Sequence, residues 1–185
     1  MRLVLIYGAP GVGKLTTARA LAALTGYRLF HNHLVFDLAR AIFEFPSKPF
    51  MNLAEKVRFA VFEAAAREGV AGLIVTFVYA QPDDDPFVRK VIEVVEGLGG
   101  QVELVRLSCG QAAHEERVLA PGRKAFGKIT TVEDLRGAMA RWNLSAAVPF
   151  RPSLEIDNSA LGAELVARRI AARLSLPQRE NPASA

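Results

Sequence analysis

The residues of this chain best suited to chemistry follow its first apolar run. Gly8, Ala9, Pro10, Gly11, Val12, Gly13 and Lys14 fit the pattern G-x-x-x-x-G-K, with Leu15 and Thr16 directly after. Glycines at this spacing let backbone amides turn inward toward phosphate oxygens, and a helix opening behind them adds the positive end of its dipole. Lys14 supplies a mobile positive charge for the β and γ phosphates of a nucleotide. The chemistry implied is binding of ATP. The structural alternative is a glycine-rich strand-to-helix turn beside a chance lysine.

Such a loop works only if a strand delivers it and a helix leaves it. Leu3 to Tyr7 is a continuous apolar run that fits a strand covered on both faces, and Ala18, Leu21, Ala22 and Leu24 recur at helical spacing up to a stop at Gly26. Beyond it the pattern predicts a strand over 27–31 and a helix marked by Leu34, Leu38, Ala41, Ile42 and Phe45 and ended by Pro46. A longer helix over 50–68, carrying Ala54, Val57, Val61, Ala64 and Ala65 on one face, then leads into a strand over 73–79. Asp83, Asp84 and Asp85 before Pro86 read as an acidic helix start. Further strands are expected over 102–107 and 154–156, with helices over 111–119, 131–142 and up to Leu174. Alternating strands and helices imply an α/β fold: a five-stranded parallel sheet with helices on both faces and ligands at the carboxyl ends of the strands.

Composition bounds the rest. A chain of 185 residues is about one domain long, here 1–176 with a flexible tail over 177–185. No apolar run approaches the ~18 residues of a membrane span, and the opening residues lack the apolar region of a signal peptide, so no membrane is expected. The single cysteine, Cys109, reads as a buried filler in a reducing cytoplasm. A net charge of +4 is mild attraction for anions.

The string GAPGVGKLT resembles the GAPGxGKGT loop of adenylate kinases, which also lacks a hydroxyl directly after the lysine. That resemblance implies that Thr16 contacts phosphate or a metal-bound water, with Mg²⁺ held mostly through waters and phosphates. The order of elements is similar to the nucleoside-monophosphate kinase and shikimate kinase group, which implies the strand order 2-3-1-4-5, and the chain resembles bacterial P-loop proteins labelled as AAA family ATPases. By the same resemblance the basic stretch Arg117, Arg123, Lys124, Lys128 forms a lid over about 117–130, with Arg117 and Arg123 offsetting charge on the transferred phosphoryl group; a solvated basic loop is the alternative. Asp157, Asn158 and Ser159 then lie beside the adenine.

His31, Asn32 and His33 stand where shikimate kinases carry a D-x-D pair, which makes about 31–60 the acceptor region. Asp37, one turn further, is the nearest carboxylate able to take a hydroxyl proton, His33 is its rival, and capping by Asn32 beside an exposed Asp37 is the structural alternative. The strand over 73–79 holds no aspartate for magnesium, and Thr76 stands near that place. Tyr79, Gln81 and Asp83 are further acceptor-site candidates, against a plain acidic helix cap. The acceptor motifs of adenylate and shikimate kinases are both missing. The leading expectation is a kinase that binds a nucleoside triphosphate and a small-molecule acceptor. The alternatives are an ATP-dependent switch without acceptor phosphorylation and a polynucleotide 5′-hydroxyl kinase, the latter resting on a pI near 9.5. Nucleic acid is the less expected partner, because no aromatic and basic residues interleave to stack bases.

Overall fold

Alternate residues of one strand feed two cores. In β1 (Arg2–Tyr7), Leu3, Leu5 and Tyr7 join one apolar cluster and Val4 and Ile6 the other, as the two-residue repeat of a strand requires. Both faces are covered, which is why the strand reads as an unbroken apolar run. The computed structural model describes residues 1–120 and 129–179. Arg123, Lys124 and Lys128 of the expected lid lie outside the described residues.

The sheet has five parallel strands, as the alternating pattern predicts, in the order β2-β3-β1-β4-β5 that the resemblance implies. β1 lies between β3 (Gly72–Phe77) and β4 (Gln101–Ser108), with β2 (Arg28–His31) and β5 (Leu154–Asp157) at the edges. One face packs on α3 (Lys48–Arg67) and α4 (Asp85–Gly97) through Phe59, Phe62, Val88, Val91 and Val95. The other packs on α1 (Lys14–Thr25) and α7 (Ala163–Arg173) through Leu21, Val166 and Ile170. α5 (Gln111–Leu119) and α6 (Val132–Arg141) follow β4. Gly26 caps α1 in the left-handed region at φ 76°, its N–H donating to Ala22 O. Among the described residues no helix is long and apolar enough to cross a membrane.

Two helices depart from the apolar pattern. α2 (Asn32–Arg40) stops well before Pro46, as Ile42 and Phe43 N–H both turn back to Ala39 O. It buries Val35 and Ala39 against Phe50 and Ala54 of α3, so that Leu34, Leu38, Ile42 and Phe45 stay exposed. In α3 the fully buried positions are Phe50, Ala54, Arg58, Phe59 and Phe62; of the small-residue face expected from the sequence, only Ala54 is among them. Phenyl rings bury far more area than alanine or valine, so they decide which face turns inward.

Candidate active site

The carboxyl end of β1 runs directly into the glycine loop. Gly8, Gly11 and Gly13 adopt φ values of 144°, 92° and 97°, conformations that L side chains rarely take. At Gly8 the space is closed as well, since a Cβ there would lie 2.3 Å from Leu107 O on β4. Lys14 opens α1 and its Nζ donates to Gly8 O at 2.8 Å and Ala9 O at 2.7 Å, which sets the ammonium across the loop mouth.

Three side chains from the far half of the sheet brace this loop. Asn158, just after β5 and almost fully buried, donates from Nδ2 to Val12 O at 2.8 Å. Arg117 on α5 donates to Asn158 Oδ1 and Asn158 O, each at 2.7 Å. His114, one turn earlier, places Nε2 2.6 Å from Pro10 O, which puts the ring proton on that nitrogen. The turn behind them is tied as well: Ser159 N–H donates to Asp157 Oδ1 at 2.8 Å, and Gly110 N–H to Ser159 Oγ at 2.8 Å. The Ser159 hydrogen bonds hold the Asp157 carboxyl below its usual range. Arg117, Asp157, Asn158 and Ser159, all anticipated from the sequence, therefore meet beside the loop. His114 was not anticipated, and a lone histidine within an amphipathic helix carries no signal of such a role.

Two cavities open at this end of the sheet. The first, of about 440 Å³, is floored by Gly11, Gly13, Lys14, Leu15 and Thr16, and His33, Thr76 and Trp142 stand on its walls. Thr76, at the end of β3 where a magnesium-binding aspartate is common, accepts the Asn32 N–H at 3.4 Å. The second cavity, of about 460 Å³, lies between α3 and the β3–α4 loop, with Met51, Glu55, Arg58, Asp83, Asp84 and Lys90 in its lining. Asn32, Phe36, Phe77 and Val78 line both. The cavities are neighbours across one shared wall.

Arg58 is the main residue that sequence reasoning missed. It is 6% exposed, donates to Asn32 Oδ1, and sets its guanidinium 5.3, 5.9 and 5.6 Å from the ring centres of Phe36, Phe77 and Phe87. Burial lowers it to about 10, against the attraction of Asp84 and Glu55. Asp84 is displaced the other way: burial raises its carboxyl above the ordinary range, partly offset by the Ala80 N–H, which donates to Asp84 Oδ2 at 2.8 Å. An arginine among apolar helix residues reads as a solvated charge until the partner elements are in place.

Several anticipated acceptor residues sit elsewhere. Asp37 is exposed, pairs with Arg40 at 3.6 Å and lines neither cavity, because the buried face of α2 runs through Val35 and Ala39 and position 37 falls opposite. Tyr79 continues the inward alternation of Val75 and Phe77, is fully buried against the edge of Tyr7, and donates its hydroxyl to Asp85. Burial and that hydrogen bond raise its phenol well above the ordinary value. Gln81 is taken up by Asn143, its N–H donating to Asn143 O and its Oε1 accepting from Asn143 Nδ2, both at 3.1 Å. His31 lines neither cavity, and its ring centre lies 5.9 Å from that of His33. Among the described residues no group of three or more His, Cys, Asp or Glu is placed to hold a metal ion.

No protein-family model matches the sequence, and no curated protein matches it. Solved structures do. The chain is similar to a tunicamycin resistance protein of Deinococcus radiodurans (21% identity, TM-score 0.61, covering 97% of this chain and 99% of that one). It is also similar to a sugar kinase from Janibacter (19% identity, TM-score 0.67, 95% of each chain). A shikimate kinase from Acinetobacter baumannii, in complex with shikimate, matches at 19% identity and a TM-score of 0.53 over 94% of this chain and 93% of that one. At these identities the comparison establishes the fold.

Proposed function

We propose that this chain, which has the fold of the P-loop small-molecule kinases, transfers the γ-phosphoryl group of ATP to a hydroxyl of a small acceptor. One observation carries the reading: the loop-floored cavity and the α3–α4 cavity share the wall of Asn32, Phe36, Phe77 and Val78, so the phosphates of a nucleotide and a second molecule meet across it. The fold shared with a sugar kinase and a shikimate kinase agrees with that.

In this reading the loop amides and Lys14 hold the β and γ phosphates, while Arg117, Asn158 and His114 keep the loop carbonyls from turning into the site. The acceptor oxygen forms a bond to Pγ, the bond from Pγ to the bridging oxygen breaks, and ADP leaves with that oxygen's electron pair. The hydroxyl proton passes to a carboxylate of the α3–α4 cavity. Asp84 suits this best, since partial burial has raised its proton affinity. Thr16 and Thr76 offer hydroxyl oxygens on the wall of the phosphate cavity, which fits a Mg²⁺ ion bound chiefly through phosphates and water. When bound, that ion neutralises charge on the β and γ oxygens. A nucleotide of this kind and a single cysteine suit the cytoplasm.

The test is ADP release by the purified chain with ATP and Mg²⁺, with and without pooled sugars, polyols and aromatic alcohols. Release that depends on an acceptor and disappears in Lys14→Ala supports the kinase. A second reading, an ATP-bound switch, draws on Thr76 standing where a carboxylate would assist turnover. Tight ATP binding with no acceptor-dependent release would favour it and sink the first.

A further inference from the structure

The two cavities differ in charge. The phosphate cavity presents Lys14, Arg40 and loop amides. The α3–α4 cavity presents three carboxylates, Glu55, Asp83 and Asp84, against two cations, Arg58 and Lys90. Those cations are already engaged: Lys90 Nζ pairs with Glu55 Oε1 at 3.1 Å, while Arg58 is bound to Asn32, packed among three rings and attracted by Asp84. Three carboxylates against two cations leave the lining with a formal net charge of −1. Asn32 and Asn52 add neutral amides, and the rest of the lining is apolar, with Phe77 and Phe87 stacked at 4.7 Å between ring centres.

An anionic acceptor entering this space gives up its hydration, adds to a negative lining and finds its nearest buried cation already held. Hydroxyl and ammonium groups, in contrast, are donors, and carboxylate oxygens are what this wall supplies to receive them. Resting on the kinase reading above, we propose that the acceptor is a hydroxyl compound without net negative charge, neutral or ammonium-bearing, lying against the Phe77 and Phe87 rings. Acceptors carrying a carboxylate or phosphate are discriminated against. The subsite itself stands on the cavity and its shared wall; the charge selects its occupant.

The experiment is ADP release by the full chain with acceptors matched in skeleton and differing in charge. One set is glucose, glucosamine and glucuronate; the other is benzyl alcohol, 4-(hydroxymethyl)benzylamine and 4-(hydroxymethyl)benzoate. The neutral or ammonium member of a set is expected to exceed its carboxylate partner in kcat/KM by about tenfold or more, the scale of one partly screened charge contact. Asp83→Lys, a change at an exposed position that is safe for folding, is expected to reduce that ratio about tenfold while leaving KM for ATP unchanged. Preference for the carboxylate members, or a ratio indifferent to Asp83→Lys, overturns the acceptor class and leaves the kinase standing. ATP binding by calorimetry without ADP release for any compound overturns both.

Discussion

The proposed nucleotide side of this molecule is built from backbone, and the proposed acceptor side from side chains. On the first, amides of one contiguous loop are the proposed binding groups, and braces from α5 and the turn after β5 hold the loop carbonyls in place. On the second, Asn32, Arg58, Phe77 and Asp84 arrive from four separate segments and converge over a small satellite core of Val35, Ala39, Phe50 and Ala54. A backbone site tolerates change around it as long as the loop keeps its shape. A side-chain site depends on how α2 and α3 lie, and so can be retuned to new acceptors without touching the phosphate loop.

The contrast is sharpest at Lys14. Lys14→Ala is expected to lower turnover by about 10²–10³-fold, as does loss of one fixed positive group at a developing charge. Thermal stability should change far less than turnover, since Lys14 Nζ donates to two carbonyls of its own loop rather than to the core. Steady-state kinetics beside a melting curve checks both.

Phe50→Ala tests whether the two halves are separable. Removing this fully buried ring should destabilise the chain by about 3–5 kcal/mol. Hydrogen exchange should quicken in α2 and the first turns of α3, while ATP affinity weakens only a few-fold, since Phe50 reaches the phosphate cavity through Phe36 and Phe45 on its wall rather than through the loop. A parallel collapse of ATP binding would break the comparison.

Arg58→Ala is expected to cost about 3 kcal/mol, the scale of removing one partner from a buried charged network. Arg58→Met should recover much of that by refilling the space among Phe36, Phe77 and Phe87, without recovering acceptor KM. Denaturant titration and acceptor kinetics on the pair separate packing from charge.

On the nucleotide side, Asn158→Ala removes the brace on Val12 O and a partner of Arg117, for an expected loss of about 2 kcal/mol and a several-fold rise in Kd for ATP by calorimetry. The smallest effect belongs to neither side. Glu96 binds Arg151 through two hydrogen bonds of 2.9 Å, and its carboxyl is held below the usual 4.5 chiefly by them. A lowered folded value means the stabilisation is present above the ordinary carboxylate range and lost as pH falls through the folded value. For a partly exposed pair this is about 0.5 kcal/mol, and Glu96→Gln should flatten that part of the acid limb in denaturation midpoints.

Much of this was legible beforehand. The loop from Gly8 to Thr16 and the alternation of strands and helices follow from local pattern, because a strand, a glycine turn and a helix start each depend on near neighbours; the sheet order came from resemblance. The helix from Asn32 was legible as a helix but not in its face, since apolar residues stand on both sides and only contact with Phe50 selects Val35 and Ala39. Asp37 and Tyr79 were natural candidates by residue type. Helical phase turned the first outward, and strand alternation turned the second into the core.

The sequence by itself determined the glycine loop and the alternation of strands and helices that implies a parallel sheet, because those are properties of consecutive residues. Only the tertiary structure decided that Arg58 is buried, that Asp84 faces it and that a second cavity adjoins the first, because those depend on the distances between residues far apart in the chain. Periodicity records which residues are apolar and at what spacing. It holds no record of which polar side chain an opposing element will enclose.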